Sequence, residues 1–314
     1  MDKKQLHEHR RKMYNEVGAY RNSFIDPATG LMDEKYLERR SCPCCGSSKN
    51  RDILVKNGGQ YVVCEDCSMV FLNPVFRDEC LEEYYRHNNT VQAAAHEEES
   101  TFYRDIYNSG LEQIRSATRC TKILDVGCSS GFFLDIAKAS GMETYGIELN
   151  RLEHRIAEGK GHRVWDKVLS QVDFQTRFDA ITLWDVFEHI KDGIGYLRQL
   201  APHLNPDGVV FMQIPSAQSL AARILQEKCN MFEGLEHVSL YNTKTIRMVA
   251  DAAGYGVAGM KSVIHELDPI FNHINYEHPY FGSFQRPEGL EFLTPELVLE
   301  KFLGYKLQVI LKKR

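Results

Sequence analysis

KILDVGCSSG, residues 122–131, is the stretch whose reading decides the fold. Ile123, Leu124 and Val126 make a short apolar run interrupted by Asp125. Gly127 and Gly131 follow, and Phe133, Ile136 and Ala137 then fall at i, i+3 and i+4. The pattern reads as strand, glycine-rich turn and helix. Glycines let such a turn close tightly against a ligand, and the amino end of the helix offers unpaired N–H groups. A phosphate-binding loop would carry Lys-Ser/Thr after its last glycine, and none is present. The spacing is D-x-G-x-x-x-G rather than G-x-G-x-x-G, which fits dinucleotide binding poorly.

Downstream, strand and helix patterns alternate. Thr144–Glu148 (TYGIE) reads as a second strand ending in an acid, and His162–Trp165 as a short third. Asp179–Asp185 (DAITLWD) is a fourth and Val209–Pro215 a fifth, after a turn at Asn205-Pro206-Asp207-Gly208. Val257–His265 and Lys306–Leu311 can supply the sixth and seventh. Leu197, Leu200 and Leu204 mark a helix by their i, i+3, i+7 spacing, and residues 217–229 read as another. Asn242-Thr243 caps a helix with Ile246, Val249 and Ala250 on its apolar face, and Gly254 stops it. This alternation predicts an α/β domain with a parallel sheet wound on both faces. Ligands bind such sheets at the carboxyl ends of the strands, where Trp184 and Asp185 fall. A polar, aromatic insertion near 266–300 is long for a connection and is expected to shape an acceptor pocket.

On the motif Asp125–Gly131 and the strands around it, the chain resembles the class I S-adenosylmethionine (SAM)-dependent methyltransferases. The resemblance implies a Rossmann-like sheet, mostly parallel with an antiparallel last strand. It places Asp125, Gly127, Cys128, Ser129 and Gly131 around the methionine part of SAM. Glu148 takes the ribose hydroxyls, a role that suits a carboxylate able to accept two hydrogen bonds from a cis-diol. Asp166, just after the third strand, falls where this fold contacts adenine. Trp184 and Asp185 complete the expected cofactor set.

A second signal lies upstream. Cys42-Pro-Cys-Cys45-Gly and Cys64-Glu-Asp-Cys67 give C-x2-C-x18-C-x2-C, the spacing of a four-cysteine zinc site. Four thiolates leave no open coordination position, so Cys42, Cys45, Cys64 and Cys67 predict a structural zinc. Cys44 is expected to point away. The run CEDCSMVFLNP, followed by LEEYY, is similar to a large bacterial group of methyltransferases with a zinc ribbon before the catalytic domain, many of them in surface-glycan or natural-product pathways. That group usually has a glycine where this chain has Ser68. The expected organisation is a helical lead at 1–40, with Leu6, Met13 and Val17 on one stripe, a zinc ribbon at 41–80, a helical lid or linker at 81–118 and the methyltransferase domain at 119–314.

Composition narrows the function. The 314 residues carry a formal charge of −5, so there is no global basic signature for nucleic acid. No apolar run is long enough to span a bilayer, and the charged start MDKKQLHEHRRK lacks the apolar core of a secretory signal. Nine cysteines with two C-x-x-C pairs point to metal binding in a reducing, cytoplasmic setting rather than to disulfides.

Methyl transfer from a sulfonium is an in-line displacement dominated by positioning. A hydroxyl acceptor also needs a base, and histidine has a suitable pKa. Two Glu-His pairs offer one. Glu188-His189 follows the fourth strand in a D-x-x-E-H ending that recurs in small-molecule methyltransferases of the fold. Glu236-His237 follows the fifth, where the fold faces the acceptor, and His237 is favoured as the base. A divalent ion on Asp185 and these pairs has no diagnostic spacing. The related sugar carbon-methylating enzymes have a tyrosine at the position of Gly234, so their mechanism is not carried over. The expectation is O-methylation of a sugar, nucleotide-sugar or other small hydroxylated acceptor. The alternatives are an RNA methyltransferase with a zinc recognition module and a zinc-ribbon interaction protein whose methyltransferase domain is inactive.

Overall fold

The computed structural model describes residues 21–87 and 100–314. The stripe Leu6, Met13 and Val17 and part of the expected 81–118 lid lie outside them. Seven strands form the central sheet: β1 (Lys122–Val126), β2 (Glu143–Ile147), β3 (Arg163–Trp165), β4 (Phe178–Trp184), β5 (Leu204–Pro215), β6 (Tyr255–Val263) and β7 (Lys306–Lys313). Their order is β6-β7-β5-β4-β1-β2-β3. β1 to β5 run parallel, whereas β7 pairs antiparallel with both β5 and β6. The sheet is thus the mostly parallel one expected, with its antiparallel last strand. The Asn205–Gly208 turn became an irregularity inside β5, where the register against β4 shifts between Leu204 and Val209.

Among the described residues the α-helices are α1 (Asp78–His87), α2 (Ser100–Ala117), α3 (Phe132–Ala139), α4 (Arg151–Gly159), α5 (Gly193–Leu200), α6 (Leu220–Leu225), α7 (Thr243–Ala252), α8 (Leu267–Ile274) and α9 (Pro295–Glu300). The predicted cap of α7 is present as a full capping box of Asn242 and Thr245. β1 is buried on both faces, as the alternation of helices around it requires. On one face Tyr107, Leu111 and Ile114 of α2 pack with Phe133, Trp184 and Phe211. Gly110 makes this possible, because a Cβ there would lie 2.3 Å from the Trp184 ring. The insertion near 266–300 contains α8 and α9, and Leu267, Ile270, Phe271 and Val298 bury their side chains with α6 and Tyr61.

The cysteine segment forms a four-stranded sheet in the order Ser239–Leu240, Val70–Leu72, Gly59–Cys64, Asn50–Lys56. Its first strand comes from the larger domain, between β5 and α7. The ribbon therefore does not close upon itself; the larger domain covers its edge. Among the described residues no helix is long and apolar enough to cross a membrane.

Candidate active site

The loop after β1 is held by its own backbone and by one carboxylate. Gly127 and Gly131 have φ of 74° and 80°. A Cβ on Gly127 would sit 2.6 Å from Val186 Cγ2, so both conformation and space require glycine there. The N–H groups of Gly127 and Cys128 donate to the Ile147 carbonyl at 2.8 and 3.0 Å. Glu148, at the end of β2, accepts from Ser129 N–H and from Asn150 N–H, both at 2.8 Å. It is thus a splint for the loop as well as the acid expected to meet a ribose.

Asp125 is 2 % exposed and accepts a 2.6 Å hydrogen bond from the Thr182 hydroxyl. Burial pushes its carboxyl up to about 8; Thr182 opposes the shift and Glu148 adds to it. Glu153, in the first turn of α4, is also buried, and burial together with Glu148 raises it to about 7. Buried polar atoms without a hydrogen-bond partner gather along this rim: Ser129 Oγ, Ser130 Oγ, Glu153 Oε1, Asp185 Oδ1 and both oxygens of Glu188. Such atoms are costly unless a ligand or water completes them. A polar, cationic cofactor with a ribose diol fits this donor and acceptor set.

Two expected cofactor residues are placed differently. The Cys128 thiol is buried and directed beneath β2, where a Cβ on Gly146 would come 2.5 Å from its sulfur. It behaves as a small apolar residue. The Trp184 indole is core as well, packed on Tyr107, Phe133 and Phe211 with ring centroids 4.7, 5.1 and 4.6 Å away. Strand alternation turns it to the α2 face, away from the neighbouring Asp185. Asp166 is exposed just past the end of β3.

Asp185 has φ 54° and closes β4. Its Oδ2 accepts from Lys306 Nζ at 2.5 Å and from Gln213 Nε2 at 3.1 Å. Beside it the two Glu-His pairs meet. The His189 and His237 ring centroids are 5.1 Å apart, and His237 Nε2 lies 4.0 Å from Glu188 Oε1. One ligand atom each from Glu188, His189 and His237 lies within 4.8 Å of the others. His237 Nδ1 is 2.8 Å from the Met231 carbonyl. A carbonyl only accepts, so Nδ1 carries a proton and donates it there, while Nε2 is directed towards Glu188. The Glu188 carboxyl beside the ring thus comes from the other pair. Burial, reinforced by Asp185, holds Glu188 well above the ordinary carboxyl range. Burial, with His237 and Lys306 close by, keeps His189 neutral, well below the ordinary histidine pKa.

The four ribbon cysteines form a second centre. Cys42 and Cys67 sulfurs are 3.5 Å apart, and those of Cys45 and Cys64 are 3.6 Å apart. Thiolates about 2.3 Å from a tetrahedral zinc have edges of about 3.8 Å, so the set fits that ion. Cys44 instead directs its thiol at the Thr245 carbonyl, 3.7 Å away.

A methyltransferase-domain family matches residues 79–258, more than half of the chain. The chain belongs to the methyltransferase-domain family. The magnesium protoporphyrin IX methyltransferase of Synechocystis PCC 6803, solved with bound SAH, is similar in fold, with a TM-score of 0.50 and 11% identity over 76% of this chain and 100% of that one. Among curated proteins, the ubiquinone biosynthesis O-methyltransferase of Actinobacillus pleuropneumoniae is 29% identical over 102 residues, 29% of this chain and 44% of the relative. That of Rhodopseudomonas palustris is 24% identical over 121 residues, 36% of this chain and 48% of the relative. The chain spans about half the length of the curated relatives it matches.

Within the methyltransferase domain, several site residues carried no local signal. Lys306 opens a strand far from Asp185 in sequence. Glu153 looks like a first-turn acid complementing a helix dipole. Thr182 did carry a hint, as the lone hydroxyl inside an apolar strand, and it pairs in register with Asp125.

Proposed function

We propose that this methyltransferase domain binds SAM at the Asp125–Gly131 loop and Glu148, and transfers its methyl to the oxygen of a small hydroxylated acceptor. The observation that carries the reading is the convergence of Glu188, His189 and His237 at the carboxyl rim, next to the loop. SAM supplies an electrophilic methyl on a sulfonium. Asp125, Glu148 and the unpartnered hydroxyls of Ser129 and Ser130 would hold and orient the cofactor. His237 Nε2 takes the acceptor's hydroxyl proton, while Met231 keeps Nδ1–H in place. Glu188 lies 4.0 Å from His237 Nε2, beside the positive charge that arrives on the ring. Asp185, fixed by Lys306 and Gln213, adds a nearby acceptor.

The names of the relatives support oxygen as the methylated atom. The acceptor class we favour is a carbohydrate or nucleotide-sugar, on the resemblance of the ribbon segment, with cytoplasmic residence. Cys42, Cys45, Cys64 and Cys67 would hold the structural zinc. A methyl-release assay over nucleotide-sugars, glycans and catechols tests the reading; turnover of catechols alone would move the acceptor to the aromatic class.

Two measurements address the cofactor site. Glu148→Ala should weaken SAM binding at least tenfold by calorimetry, since it removes hydrogen bonds worth about 1.5–3 kcal/mol each to a charged acceptor. Unchanged affinity would remove the ribose assignment. Asp125 should release a proton when SAM, a cation, binds beside it. The folded carboxyl holds its proton to about 8 against an ordinary 3.8. The unbound protein therefore loses stability as pH rises between those values, and SAM affinity gains up to about tenfold per pH unit below 8. Calorimetry in buffers of different ionisation enthalpy reads the proton directly; a pH-independent affinity between 6 and 8 would refute the linkage.

A further inference from the structure

We infer that the cysteine ribbon is part of the catalytic apparatus, with Tyr61 and Arg40 as positioning residues that fix where His237 stands relative to Glu188 and His189. The inference rests on the reading of His237 as the base. The segment that carries His237 has little regular structure of its own: between α6 and α7 it forms one 3-10 turn, Gln226–Lys228, and the two-residue strand Ser239–Leu240. It is held by the ribbon. Ser239 and Leu240 pair with Phe71 and Val70. Leu72 N–H donates to the Val238 carbonyl at 3.1 Å. Asn57 Nδ2 donates to the Glu233 carbonyl at 2.9 Å.

Tyr61 makes the closest link. Its ring is fully buried. Its hydroxyl donates to the His237 carbonyl and accepts from Gly234 N–H, both at 3.2 Å. Both bonds grip the main chain on either side of Glu236. The contact needs two glycines back to back. A Cβ on Gly59 would lie 2.0 Å from the Gly234 carbonyl oxygen, and one on Gly234 would lie 2.1 Å from the Lys56 carbonyl oxygen. This also explains why Gly234 departs from the tyrosine of the sugar carbon-methylating enzymes: no side chain fits there.

Arg40 ties the two pairs together. Its guanidinium donates to the Leu72 carbonyl of the ribbon and to the Lys191 carbonyl, two residues past His189, each at 3.2 Å. It also donates to the Val238 carbonyl, one residue past His237. One planar fork thus spans the ribbon and both Glu-His segments, which a lysine cannot do. A displacement of about 1 Å at a reacting group is enough to cost two orders of magnitude in rate.

The test compares Tyr61→Phe with Tyr255→Phe in the full chain. Tyr255 is an equally buried tyrosine whose hydroxyl bonds the Leu197 carbonyl at 3.0 Å, away from the site. Tyr61→Phe should lower kcat ten- to a hundredfold with SAM affinity unchanged; Tyr255→Phe should not. Independently of activity, nitrogen-15 NMR of the histidines should show His237 locked with its proton on Nδ1 in the unsubstituted protein and mixed between tautomers in Tyr61→Phe. Arg40→Lys should reproduce both effects and carries the test if Tyr61→Phe does not fold. Equal kcat in the two tyrosine variants, with an unchanged His237 tautomer, would overturn the inference. Full turnover in His237→Ala would instead remove the base assignment, and the NMR comparison would then decide the positioning by itself.

Discussion

Replacing His237 with alanine should lower the methyl-transfer turnover rate by about 10²–10⁴, the usual contribution of a positioned base, while SAM affinity stays near that of the unsubstituted protein. The affinity should hold because His237 follows β5, whereas the cofactor loop follows β1 and Glu148 ends β2. His189→Ala is the matched control. His189 is kept neutral by burial, with Lys306 close by, so it is the poorer proton carrier of the two. Its loss should cost less than that of His237. A larger effect at His189, with His237→Ala near normal, would move the base to the first pair. Full activity in both variants would mean that positioning alone suffices, as for an acceptor oxygen that is already ionised.

Cys64→Ser should leave the purified protein with less than one zinc per chain and a clearly lowered melting temperature. Binding at a structural four-cysteine site is worth about 10–16 kcal/mol and is also folding energy, comparable to the whole stability of an ordinary domain of about 5–15 kcal/mol. The damage should spread beyond the ribbon. Ser239–Leu240 is a strand of the ribbon's sheet, and Phe71 and Val62 share a hydrophobic core with β4, β5 and α7. Metal analysis and thermal unfolding of the two proteins check this. A metal-free, unchelated unsubstituted protein, with normal melting of the Cys64 variant, would refute the zinc assignment.

Much of the rim formed by β1, its loop and β2 was legible because its parts are close in sequence and their spacing is their meaning. Asp125, Gly127, Gly131 and Glu148 lie on one strand–loop–helix–strand unit, so the period of the apolar residues sets them at one rim. The same holds for the cysteine knuckles, where a two-residue gap already aims two thiolates at one point. Reading failed where a side chain's direction mattered more than its address. Cys128 and Trp184 sit beside cofactor positions but face the core, since consecutive strand residues alternate and a tight turn tucks a small apolar thiol inward.

By itself, then, the sequence determined the α/β class, the glycine-rich loop, the acid-ended second strand and the four-cysteine spacing, all of them local patterns that backbone geometry reads directly. Only the tertiary structure decided that Glu188 of the first pair faces His237 of the second, that Lys306 from the last strand holds Asp185, and that the ribbon carries the loop of the second pair. These are contacts between segments far apart in the chain. They are set by which strands pair and by where two glycines let two backbones touch, and neither leaves a spacing in the sequence to be read.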